Sequence, residues 1–144
     1  MKTITRMLRP LLALAAAAIV ALPPLALAAE PPAPAPGFSR KVVLDQDLSV
    51  AGRHGVVALI EFAVGGAASR HSHPGEELGY VIEGTVQLEV DGKAPQIFKT
   101  GETFFIPAGT IHTARNAGTT PAKVVSSYFA EKGQPLATPA PAAK

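Results

Sequence analysis

His71, His73 and Glu77 stand close together in the pattern Gly65-x5-His71-x-His73-x3-Glu77-x6-Gly84. Residues two apart on an extended chain point to the same side, so His71 and His73 can offer their imidazoles to one ion. Glu77 shares their odd parity, although Pro74-Gly75 puts a turn in between. Two imidazoles and a carboxylate suit a borderline divalent metal. A second stretch reads Gly101-x5-Pro107-x-Gly109-x2-His112-x3-Asn116. Here a strand ends in a Pro/Gly turn and His112 opens the next one, placed to bring a third imidazole from across a barrel. The neighbouring residues have plainer readings. Glu76 has the wrong parity for a ligand and is read as solvated. His54, beside Gly55, is read as a turn residue without a role. Gly84, Gly101, Pro107 and Gly109 serve tight turns, Asn116 hydrogen-bonds its own turn, and Phe62, Phe104 and Phe105 belong to the core.

Three neutral imidazoles and one carboxylate would leave a divalent ion with a net local charge of about +1. Such an ion has positions open to water or substrate. It can polarise a carbonyl, hold an enolate, lower the pKa of bound water or present O₂ to a chelated substrate. Glu77 is also the candidate catalytic base, should a substrate displace it from the metal.

The elements that must position these side chains read as β. Val42-Val43-Leu44 is a short apolar stretch, and Val56 to Val64 is β-rich and bounded by glycines. Leu78 to Ile82 and Thr85 to Val90 are separated by Glu83-Gly84. In the second of these, Val86, Leu88 and Val90 alternate with Thr85, Gln87 and Glu89, as in a half-buried strand. Asp91-Gly92 favours a tight two-residue hairpin, with a return strand near Ala94 to Lys99. Thr103 to Ile106, Ile111 to Arg115 and Lys123 to Phe129 complete the set. Short strands punctuated by Gly, Pro and Asp predict an all-β sandwich or barrel.

The ends of the chain differ from this. Lys2, Arg6 and Arg9 precede an apolar run from Leu11 to Leu22, then Pro23-Pro24 and Ala26-Leu27-Ala28. Residues 1–28 therefore read as a cleavable Sec-type signal peptide, which predicts a periplasmic or secreted protein with no membrane attachment after cleavage. Residues 29–37 form a Pro/Ala linker, 38–132 the folded domain, and 133–144 a Pro/Ala tail expected to be disordered or loosely attached. The formal charge of +2 becomes close to neutral without the three N-terminal cations, so the domain lacks the electrostatic footprint of a nucleic-acid partner. With no cysteine, it has neither a disulfide framework nor a thiolate ligand.

The two patterned stretches, from Gly65 to Asn116, resemble the paired motifs of the cupin superfamily, all ten defining positions matching. The resemblance is to small single-domain bacterial cupins of the type-2, quercetin-dioxygenase-like group. It implies a jelly-roll β-barrel (a double-stranded β-helix), in many members a homodimer. One divalent metal ion (Mn, Fe, Ni, Cu, Co or Zn) would sit on His71, His73, Glu77 and His112. The expected function is a metal-dependent dioxygenase or related enzyme acting on a small oxygenated molecule. A non-enzymatic metal- or small-ligand-binding module, or a metal-free sugar-binding barrel, is the alternative.

Overall fold

The computed structural model describes residues 36–141, so the predicted signal peptide and almost all of the linker lie outside the described residues. Ten strands follow in order: β1 (Phe38–Asp47), β2 (Arg53–Phe62), β3 (His71–Ser72), β4 (Gly75–Glu83), β5 (Thr85–Val90), β6 (Gln96–Lys99), β7 (Thr103–Ile106), β8 (His112–Asn116), β9 (Ala122–Glu131) and β10 (Thr138–Pro139). They form two five-stranded sheets, ordered β1-β2-β9-β4-β7 and β10-β3-β8-β5-β6, with every pairing antiparallel. This is the all-β jelly roll expected from the sequence. No helix among the described residues is long and apolar enough to cross a membrane.

Period-two alternation builds the interior. Along β9, Ala122, Val124, Ser126, Tyr128 and Ala130 are buried while the residues between them are not. Along β4, Gly75, Glu77, Gly79 and Val81 are the buried row. Val86 and Leu88 from one sheet meet Phe104, Ile106, Ile60, Phe62, Val81 and Val124 from the other in one apolar cluster. A smaller cluster of Val56, Ala58 and Tyr128 lies apart from it, with Leu136 packed against it. Gly79 makes room for the core: a Cβ there would fall 2.0 Å from the Phe104 ring.

Three expectations are corrected. Asp91-Gly92 does turn the chain, with the Lys93 amide donating to the Val90 carbonyl at 3.0 Å. The strand nevertheless resumes only at Gln96, which pairs with Leu88. Pro95 has no amide to donate to a ladder, and Glu89 and Val90 pair with Thr113 and His112 of β8 instead. Phe105 is not core. It lies between the inward-facing Phe104 and Ile106 and is 58% exposed.

The third correction concerns the tail. Beyond Gly133 the chain folds back along β3, pairing Thr138 with Ser72 and Pro139 with His71. The Ala140 amide donates to the Arg70 carbonyl at 2.9 Å. Proline composition signalled disorder, but prolines also reduce the entropy lost when a segment docks in extended form. At a sheet edge their missing amide costs no hydrogen bond.

Candidate metal centre

β3 and β8 are neighbours, and His71 and His112 are direct cross-strand partners. His112 therefore reaches the site from the adjacent strand of the same sheet, not from across the barrel. Glu77 arrives from the opposite sheet on β4, and His73 occupies the link between β3 and β4. A tight turn secures that link to the second motif. Gly109, at φ +71°, donates its amide to the His73 carbonyl at 2.8 Å, a conformation that glycine adopts without the strain a Cβ would bring. His73, Glu77 and His112 are almost fully buried, and His71 is partly buried.

The three imidazoles converge. Their nearest ligand atoms all lie within 4.8 Å of one another, and the ring centroids are 4.4, 4.7 and 5.2 Å apart. Each Nδ1 faces a backbone carbonyl: Ser69 at 2.6 Å from His71, Leu136 at 2.5 Å from His73, and Thr110 at 2.9 Å from His112. A carbonyl only accepts, so each Nδ1 carries the proton and each neutral ring keeps a bare Nε2. The Nε2 atoms of His71 and His73 are 3.1 Å apart. Two lone pairs at that separation repel unless a cation lies between them, and the donor set fits a divalent ion on that ground.

Glu77 completes the cluster. Ser126, fully buried on β9, donates to Oε1 at 2.7 Å. Oε2 lies 3.1 Å from His73 Nε2 and 3.5 Å from His112 Nε2. Burial alone would push this carboxyl up, but the neighbouring His112 and His73 rings and the Ser126 hydroxyl outweigh it and hold the group well below the usual carboxylate range. His71 is pushed down to about 4, chiefly by burial and then by the neighbouring His112. Tyr128, its ring 4.7 Å from that of His73, is raised far above the usual phenol range by burial and by the Glu77 charge, so its hydroxyl stays protonated.

The structure brings His71, His73 and His112 together, with Glu77 beside His73 and His112. Glu76 points outward, with Arg53 3.9 Å away. His54 lies on β2, not in a turn, 2.8 Å from Asp45 and away from the cluster. Asn116 bonds its own turn through Gly118 and Thr120 and also reaches Phe62 and Ala63 of the opposite sheet. Ser126, Tyr128 and Leu136 were missed. For Ser126 the signal was available, since it is the one small polar residue in the inward row of β9. The barrel space beside these residues is lined by His71, Glu77, His112, Arg40 of β1 and apolar side chains. Its volume is about 30 Å³.

Residues 58–128 match the family described as a cupin domain. A germin-like protein of Arabidopsis thaliana, subfamily 2 member 2, is 36% identical over 77 residues, which are 50% of this chain and 35% of that protein. The chain thus spans about a third of the length of the curated relatives it matches. A structure of oxalate oxidase superposes with a TM-score of 0.55 at 28% identity, covering 65% of this chain and 51% of the other. A conserved protein with a double-stranded β-helix domain from Klebsiella pneumoniae superposes with a TM-score of 0.60 at 24% identity, covering 73% and 80% of the two chains.

Proposed function

Because this chain belongs to the cupin superfamily, we propose that it is an exported, metal-dependent oxidoreductase acting on a small oxygenated acid. The convergence of three bare Nε2 atoms on one point carries this reading. His71, His73 and His112 would hold one divalent ion, with Glu77 Oε2 as the fourth ligand. Bound there, the ion polarises a coordinated oxygen and lowers the pKa of bound water.

The chain's own residues do the rest. The three carbonyls orient the imidazoles, as partners outside the ligand set do in metal sites generally. Ser126 holds one oxygen of Glu77 and leaves the other for the ion. Were a substrate to displace that oxygen, the freed Glu77 carboxylate would be placed to accept a proton from a substrate that carries one, such as hydrogen oxalate. The apolar lining excludes water, which strengthens every charge interaction inside.

Two observations narrow the substrate. The small cavity favours a molecule of a few heavy atoms as the small oxygenated substrate. Arg40 also lines the cavity, and its guanidinium charge favours an anion. Oxalate, the substrate printed in the name of a relative that superposes on this chain, has that size and charge. Metal analysis of the purified protein, then O₂ uptake with oxalate and other two- to four-carbon acids, tests the proposal. The expected result is about one metal per chain and O₂ consumption lost in Glu77→Gln. Metal without turnover would favour a binding module instead, a reading the small cavity also accommodates. Export rests on the pattern of residues 1–28. Intact mass of the natively expressed protein should show a chain starting near Ala29 or Glu30.

A further inference from the structure

The segment after β9 makes a contact that its composition does not advertise. Leu136 packs on Val56, Ala58 and Tyr128, and its carbonyl accepts from His73 Nδ1 at 2.5 Å. Thr138 and Pro139 then pair with β3. Arg70 clamps the end: its Nε donates to the Pro141 carbonyl at 2.9 Å, while its two terminal nitrogens grip both oxygens of Asp91 at 2.5 and 2.7 Å. The segment is thus anchored at an apolar point, along a strand edge and at a guanidinium.

We infer that this strap is a working part of the metal centre, because it supplies the carbonyl that holds the His73 proton on Nδ1 and keeps Nε2 free for an ion. The comparison with the other two imidazoles carries the argument. His71 and His112 bond carbonyls two residues upstream, Ser69 and Thr110, so their tautomers are set locally, by the chain that leads into their own strands. His73 depends on a carbonyl 63 residues away. If the strap is released, His73 loses its acceptor, the Nε2–H tautomer becomes available, and that tautomer cannot ligate. Nothing equivalent happens to the other two rings. Leu136 is therefore a positioning residue that acts through His73. The inference rests on the metal reading proposed above, since tautomer control matters only where Nε2 has an ion to bind.

The test uses the full chain. Leu136→Ser removes the apolar anchor and Asp91→Asn weakens the clamp; neither residue is a candidate ligand. In the metal-free protein at pH 7.5, long-range ¹⁵N–¹H spectra of the histidine side chains should show Nδ1–H for all three rings. In the double variant only His73 should shift toward a mixture, and the Ala140 amide, bonded to the Arg70 carbonyl, should exchange faster. Titration with Mn²⁺ and with Zn²⁺ should show binding weakened by about 10- to 100-fold, the range for loss of a partner to a ligating histidine. Leu136→Met, which keeps the anchor, should behave as the unaltered chain. An unchanged His73 tautomer in the double variant overturns the inference. So does a loss of order at all three rings together, which would mark the strap as merely structural. Should the double variant not fold, Asp91→Asn alone carries the same spectral test with a smaller shift. An unaltered chain that takes up neither metal would instead overturn the metal reading, and the His73 signature would still show whether the strap sets its tautomer.

Discussion

The interior of this barrel has two ends built on opposite principles. Around Ile60, Phe62, Val81, Val86 and Leu88 it is apolar, and its side chains interdigitate between the sheets. Around His71, His73, Glu77 and His112 it is polar, and each ring is tethered to a backbone carbonyl. The apolar end stabilises the fold by burial alone. The polar end gathers imidazole lone pairs and a carboxylate away from water, which costs free energy unless a cation joins them. One end should therefore be indifferent to metal and the other dependent on it.

The largest test of that contrast is Phe62→Ala. Phe62 is buried and stacks on Phe38 with ring centroids 5.5 Å apart. Its loss should cost about 3–5 kcal/mol, equally with and without metal, as read by urea unfolding. A loss confined to the metal-loaded protein would show that the two ends are coupled.

Metal itself comes next. At free metal about a thousandfold above Kd the fold should gain about 4 kcal/mol. His71→Ala and His112→Ala should each abolish that gain, and His54→Ala should leave it intact. Thermal melts with and without chelator report the difference. A gain that survives His112→Ala would break the equivalence of the two cross-strand partners.

Acid should act on the polar end only. His71 titrates near 4 in the folded chain, chiefly through burial, against about 6.5 unfolded. Between those values the unfolded chain binds the extra proton, so stability is full above pH 6.5 and falls as pH drops toward 4, by about 1.4 kcal/mol per pH unit at most. Glu77, held low by its neighbours in the cluster, extends the loss in the same direction below the unfolded carboxylate range. Denaturant titrations of the metal-free protein at pH 7, 5.5 and 4.5 measure it. His71→Gln should flatten the upper part of that slope, and a slope unaltered by it would assign the proton elsewhere.

The smallest effect is expected at Glu76→Gln. That carboxylate is 40% exposed with Arg53 3.9 Å away, so its removal should change stability by less than about 0.5 kcal/mol and leave metal binding unchanged. Glu77→Gln, one residue on, should weaken metal binding clearly, since it removes the only negative charge at the site.

The sequence by itself determined most of the strands and the grouping of His71, His73 and Glu77, because both are matters of short spacing. Alternation assigns a face within a strand, and the His71, His73, Glu77 parity survives the turn at Pro74-Gly75 because the chain re-enters a strand at Gly75. Where turn chemistry met a proline, as at Pro95, local signals conflicted and the loop came out wider than the turn residues indicated. What only the tertiary structure decided involves partners far apart in the chain. His112 stands beside His71 because β8 pairs with β3. Ser126 meets Glu77 because β9 and β4 are neighbours. Leu136 reaches His73 because the tail returns along β3. A one-residue slip in any of those ladders would turn the side chains outward. The registers that prevent it are set by the summed burial of whole strands, a quantity that no single motif contains.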